Sequence, residues 1–326
     1  MPDPRTAAWY ERAATRDLLG HSAVHVAWAA GVAGDAEVLE RIERLPLPQR
    51  QPSLLFSLAG WLGAPGGADY PAFRDWLLEA WPRLEAAAPG RTTQTNEVMR
   101  CAPLLAALDR IPGDLALLEI GASAGLCLLP DRYGIRFDGA APLGPGEPRL
   151  DCTTTGVGRA PLASPRIVHR AGVDLHPLDV ADQDDRRWLE ALLPPDRADR
   201  LGRLRAAIGT ARDARTSGEV AVALREGDAL AALPALLDEA PAGAVPVVVS
   251  LGTLVYLPPA DREAVVRIAR ERGARLVTLE GRGVLPEVAT RAAALDCPEP
   301  SGYLLALDGI PLACASPHGD RISWLS

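Results

Sequence analysis

Residues 115–129 read LALLEIGASAGLCLL, and the five central letters, GASAG, decide the fold. Taken as G-x-S-x-G, the stretch is a nucleophile elbow, a strained strand-to-helix turn that presents Ser123 as the attacking oxygen of an α/β-hydrolase. Taken from Glu119 as E-x-G-x-S-x-G, it is a variant of the glycine-rich loop that lets a cofactor approach the backbone at the end of a first parallel strand. Both readings put a strand before the turn, so the choice rests on what surrounds it.

Upstream, residues 1–110 carry helical patterns punctuated by Pro and Gly: TAAWYERAATRDLL, DAEVLERIERL, SLLFSLAGWL, PAFRDWLLEAWPRLEAA and NEVMRCAPLLAALDRI. No segment there reads as a strand, and Phe73, Trp76, Leu77 and Trp81 recur at helical spacing as the core of an all-helical N-terminal subdomain, a lid or substrate cover. From residue 111 to 326 the pattern changes to short apolar runs separated by helical segments: LALLEIG, IVHRAGVDL, VAVALREGD, VPVVVSLG and ARLVTLEG, then YLLALDG and PLACASP. Strands alternating with helices predict an α/β domain with a largely parallel sheet, closed by the last two runs as an antiparallel hairpin. Residues 131–166 are rich in Gly, Pro, Thr and Asp and too long for an ordinary loop, so they read as an insertion with short strands of its own.

An elbow needs earlier strands and an oxyanion-hole segment before it, with an acid and then a histidine after it. Asp228 or Glu280 and then His318 stand in that order, but GASAG follows the first strand and no HGGG-like segment precedes it. A cofactor loop predicts more. In a class I methyltransferase, S-adenosylmethionine lies over a loop of the form acidic-x-Gly-x-Gly-x-Gly; Glu119, Gly121 and Gly125 match, and Ser123 replaces the middle glycine. Asp174 ends the second run, where a carboxylate accepts hydrogen bonds from two ribose hydroxyls. Asp228 ends the third, beside the adenine, and Ser250 to Tyr256 end the fourth, facing the methyl-transfer site. In DLHPLD, His176 or Asp179 is a candidate general base, with Tyr256 the third catalytic candidate. A solvated turn with a helix cap is the plainer reading of that stretch.

Composition narrows the function classes. A net charge of -8 and no basic stripe argue against nucleic acid or an anionic membrane as partner. Cys101, Cys127, Cys152, Cys297 and Cys314 lie far apart without a C-x-x-C pair, which argues against zinc and a disulfide framework. The polar N-terminus lacks the apolar core of a signal peptide and no later apolar run spans a bilayer, which points to a cytoplasmic protein acting on a small molecule.

RTTQTNEVMRCAPLLAAL, ALLEIGASAGLCLLPDRYGIRF and AGVDLHPLDVADQDDRRWLEALLPP, followed by RLGRLRAAIGTAR, together resemble the bacterial family known as domain of unknown function 2332, over nearly the whole chain. The resemblance implies a methyltransferase-like Rossmann domain with a helical N-terminal part, and no established reaction. In RTTQTNEVMR, Thr93 or Thr95 is a candidate N-cap, while Gln94, Asn96 and Glu97 are candidates to fold over a cofactor or polar substrate. The sequence reading is therefore a Rossmann-like class I methyltransferase sheet, with methyl transfer as the expected activity. The N-P-P-Y and D-P-P-Y signatures of amine methylation are absent after the fourth strand, where SLGT stands. Two other classes stay open: a non-catalytic binding or scaffold protein that keeps the fold, and a serine hydrolase using Ser123.

Overall fold

The computed structural model describes residues 3–94, 96–295 and 302–325. In chain order its elements are α1 (Pro4–Arg12), α2 (Ala23–Ala33), α3 (Ala36–Ile42), α4 (Pro52–Trp61), α5 (Tyr70–Ala87), α6 (Cys101–Leu108) and β1 (Leu115–Ile120). Next come β2 (Tyr133–Phe137), β3 (Gly146–Thr155), β4 (Ile167–Asp174), α7 (Gln183–Ala191), α8 (Ala198–Thr216), β5 (Ala223–Glu226) and α9 (Ala229–Asp238). The chain ends with β6 (Val245–Leu251), α10 (Pro259–Glu271), β7 (Arg275–Gly281), α11 (Pro286–Ala293), β8 (Tyr303–Leu307), β9 (Ile310–Ala315) and β10 (Arg321–Trp324). They form two compact units, one of Met1–Thr95 with Ala181–Arg205, the other of Asn96–Val180 with Ala206–Ser326.

In the helical unit α1, α2, α3 and α5 start on side-chain caps: Asp3, Ser22, Asp35 and Asp69 each accept a backbone N–H of the following turn. Its core is aromatic. Trp28 stacks on Phe73 with centroids 3.9 Å apart, and Phe56 meets Trp28 edge-on at 5.7 Å. Phe73, Leu77 and Trp81 are buried on one face of α5, and Trp76 is half-buried. Residues 181–205 join this unit because Arg91, lying over the Trp61 and Trp188 rings at 4.6 and 5.2 Å, also pairs with Asp184 on α7.

The sheet unit begins at Asn96, earlier than the boundary at residue 110 that the helical pattern suggests. The physical reason is α6, whose eight residues are all buried and which packs on β7 and β8. Strand order is β2-β3-β10-β9-β8-β7-β6-β1-β4-β5. The run from β5 through β4, β1 and β6 to β7 is parallel, and β8 and β9 close it as an antiparallel hairpin. Residues 131–166 do carry strands, β2 and β3, and β10 joins them to the rest by pairing with both β3 and β9. β1, LALLEI, is buried at all six positions, as a central strand covered on both faces must be. Glu119 is the one charged residue in it. Cys314 is disulfide-bonded, which the wide cysteine spacing does not suggest; Cys297 lies outside the described residues.

Candidate functional site

Strand order reverses at β1: the chain moves from β1 to β4 on one side and later reaches β6 on the other. The loops after these strands therefore meet at the carboxyl end of the sheet. The GASAG loop hooks over β4, with the N–H groups of Gly121 and Ala122 donating to Val173 O at 2.8 and 3.1 Å. Gly121 has φ +71, Ser123 +49 and Gly125 +69, so the turn is left-handed at three of five residues. Left-handed backbone is strained for serine, and Asp174 and Asn96 hold it there. Ser123 N–H donates to Asp174 Oδ2 at 2.8 Å, and Asn96 Nδ2 donates to Ser123 Oγ at 2.8 Å.

Gly121 is needed for a reason other than cofactor approach: a Cβ there would lie 2.2 Å from Thr253 Oγ1. The loop after β6 is packed onto it. That second loop is held by Glu280 at the end of β7, whose Oε1 accepts from Ser250 Oγ at 2.7 Å and from the N–H groups of Gly252, Thr253 and Leu254 at 3.0–3.1 Å. Ser250 is thus a support of this loop, fully buried. Arg100 fills the space behind it, donating Nη1 to Leu251 O at 2.5 Å and Nε to Pro317 O at 3.1 Å. Gly252, at φ +85, leaves room for that guanidinium.

Asn96 and Glu97 belong to this site. Glu97 is 3% exposed, caps the 3-10 turn Val98–Arg100 by accepting the Met99 N–H at 3.2 Å, and lies 3.6 Å from His318 Nδ1. Glu97 is the N-cap of this turn and Arg100 the N-cap residue of α6, neither of them Thr93; Thr95 lies outside the described residues. Gln94 falls in the helical unit. His318, the histidine of the hydrolase order, has Glu97 as its carboxylate neighbour, whereas Glu280 is engaged by the β6 loop and Asp228 by a helix.

The other sequence candidates separate. Asp228 is exposed and caps α9, accepting the Ala231 N–H at 2.9 Å. Asp174 also accepts the His176 N–H at 2.9 Å, and His176 itself is exposed. Asp179 pairs with Arg215 on α8 at 2.8 Å, and Tyr256 is 79% exposed. His176, Asp179 and Tyr256 thus have different surroundings. Among the described residues no group of three His, Cys, Asp or Glu side chains could hold a metal ion, and no helix is long and apolar enough to cross a membrane.

Glu119 is a buried acid at the end of β1. It is 4% exposed, and its Oε2 is buried without a hydrogen-bond partner. Burial, reinforced by Cys127 and Asp174 nearby and opposed by Arg100, holds its carboxyl well above the usual carboxylate range. Burial also raises Glu280, against the pull of its hydrogen-bond donors and Arg100. The sequence places Thr253 within the Ser250 to Tyr256 loop and Arg100 in a polar cluster without showing that one packs on Gly121 and the other behind Gly252, and it offers Glu280 only as a catalytic acid. Arg100 and Thr253 do their work through contacts more than a hundred residues away, and no local pattern marks them.

Residues 7–324 match the model of a family described as "Uncharacterized protein conserved in bacteria (DUF2332)", and the chain belongs to that family. No curated protein matches it.

Proposed function

We propose that this member of a bacterial family binds S-adenosylmethionine at the carboxyl ends of β1, β4 and β6 and transfers its methyl group to a small molecule. The observation that carries the reading is the reversal of strand order at β1, with a glycine-rich loop at the point of reversal. Ligands of open parallel sheets bind outside the carboxyl ends of the strands at such a point. The residues present fit a polar ligand there. Glu119 has a buried oxygen without a partner, and Asp174 stands at the end of β4, where a ribose is held in sheets of this order.

The cofactor, when bound, supplies a methyl group on a positive sulfur. The chain supplies position. Asp174 fixes the left-handed turn at Ser123, and Glu119, which burial pushes toward its protonated form, faces the loop as a hydrogen-bonding group. Asn96 covers the loop, accepting the Ala124 N–H at 3.4 Å as well as donating to Ser123, and keeps water from it. Entry of a ligand moves Asn96 off Ser123. Proximity and orientation then account for the rate, and a base is needed only for an acceptor that must lose a proton early.

Calorimetry with S-adenosylmethionine and S-adenosylhomocysteine tests this. Wild type binds both, Asp174→Ala binds at least about tenfold more weakly because the Ser123 and His176 N–H groups lose a charged acceptor, and Asn96→Ala binds no more weakly than wild type. Failure of wild type to bind either compound sinks the proposal and leaves the non-catalytic reading in its place. Serine hydrolysis through Ser123 has one observation in its favour, the left-handed backbone at that serine. Labelling by a fluorophosphonate probe, abolished in Ser123→Ala, is what that reading requires.

A further inference from the structure

A glycine-rich loop in a sheet of this order ordinarily opens a full helix. Here GASAG is followed by a single 3-10 turn, Leu126–Leu128. Beside that short turn lies a pocket of about 560 Å³ in the sheet unit, walled by Ala124 and Gly125, Leu178 and Val180, Ala211 on α8 and Val222 before β5. Such a volume falls within the range of about 300–1,000 Å³ typical of small-molecule sites. Its walls are mostly alkyl, so most of what it takes must be apolar.

The polar character of the ligand follows from which groups at the rim still have capacity. Carbonyls at the end of α8 are occupied: Arg212 O by Thr216 Oγ1, Asp213 O by Ser217 N–H, Ala214 O by Val220 N–H and Ser217 Oγ, and Arg215 O by Gly218 N–H. The charged acceptor at the rim, Asp179, is the ion-pair partner of Arg215. Arg215 is the cation there, its side chain 63% exposed, with Nη1 on Asp179 at 2.8 Å and further N–H donors in its guanidinium fork. A carboxylate is the group that such a fork takes in preference to an alcohol or an amine.

We infer that this pocket is a binding site for a small apolar carboxylic acid, its hydrocarbon part between the GASAG loop and α8 and its carboxylate on Arg215. As a binding site it stands apart from the cofactor reading; as the site of the methyl acceptor it rests on that reading.

The test is displacement of 8-anilinonaphthalene-1-sulfonate by decanoate and by decanol. Wild type binds the dye saturably, and decanoate displaces it at a concentration about tenfold below decanol, the ratio that a hydrogen bond to a charged group gives. Arg215→Gln, a change on an exposed side chain, brings acid and alcohol close to parity. Ala211→Phe fills the pocket and removes saturable binding while circular dichroism and melting temperature stay those of wild type. The inference is overturned if wild type shows no saturable binding, if it does not prefer the acid, if Arg215→Gln keeps the preference, or if a folded Ala211→Phe binds as wild type does. Displacement of the dye by S-adenosylhomocysteine makes the pocket part of the cofactor crevice and overturns it too. Calorimetric failure of S-adenosylhomocysteine to bind, with decanoate still binding, defeats only the cofactor reading.

Discussion

Replacing Glu280 tests whether one carboxylate oxygen holds the β6 loop against the GASAG loop. Glu280→Ala removes the acceptor of Ser250 Oγ and of three backbone N–H groups, at Gly252, Thr253 and Leu254. Gly252 and Thr253 are half-buried and can turn to water, but Ser250 and Leu254 are both 0% exposed. Each buried group left without a partner costs about 1–3 kcal/mol, so the two together cost roughly 2–6 kcal/mol. Removing the carboxyl also takes away a charge that Arg100 feels, which pushes the cost toward the upper half of that range. At about 2–4 °C per kcal/mol for a unit of this size, the melting temperature falls by roughly 8 °C or more. Glu280→Gln keeps an oxygen for the same donors and costs only about 1 kcal/mol. Urea midpoints and thermal melts by circular dichroism measure both variants. A Glu280→Ala protein that melts within about 1 °C of wild type, or a Gln variant as unstable as the Ala variant, refutes the reasoning.

Burial among Trp28 and Phe56 pulls the His25 pKa down to about 4 from its ordinary 6.5. The unfolded chain then binds the extra proton between those values, so stability is full above about pH 6.5 and falls as pH drops toward 4, by roughly 3 kcal/mol. His25→Phe removes that part of the slope, and urea midpoints at pH 4.5 and 7.5 that differ as much in the variant as in wild type count against it. Glu119 shifts the other way: its folded-state pKa lies above the unfolded value, so the folded chain keeps a proton that the unfolded chain has released. Wild-type stability is therefore full below about pH 4.5 and declines as pH rises toward the folded pKa, while Glu119→Gln, neutral throughout, gains on wild type over that interval; a constant difference between pH 4.5 and 8 disproves this. Gly121→Ala drives a methyl into Thr253 at a backbone φ of +71, and destabilises by about 1–3 kcal/mol or more. Thr253→Gly in the same chain clears the contact and recovers part of the loss, whereas no recovery shows that Thr253 is not what Gly121 answers to.

How much of this the sequence shows follows from the range over which each feature is determined. β1, β4, β6 and β7 are legible because a covered parallel strand reads as an apolar run, and VPVVVSL and LALLEI are such runs. The α2 sequence AVHVAWAAGVA is apolar nearly all round and has no polar face to give a helical period, so the pattern that marks α5 is missing. β10, RISW, is four residues long, too short for its alternation to register. In the site, Asn96 and Glu97 stand out because a polar cluster before an apolar helix is locally odd. Asp228 looks like a ligand from its place after a strand, yet the same place is the N-cap of α9, and the cap is what it makes. Thr253 and Arg100 are defined by long-range packing, the one against Gly121 and the other against Gly252, and only the sheet brings those segments together.

Two glutamates of the site, nearly equally buried at 4% and 2%, show what decides the charge of the crevice. Each has a buried Oε2 without a hydrogen-bond partner, but Glu280 accepts four donors on its other oxygen. Burial raises both, but donors favour the ionised form, so the rise is the smaller at Glu280 and the larger at Glu119. Arg100 acts on both acids, favouring the ionised form of each against burial. Burial without donors thus pushes Glu119 further toward its protonated form than Glu280.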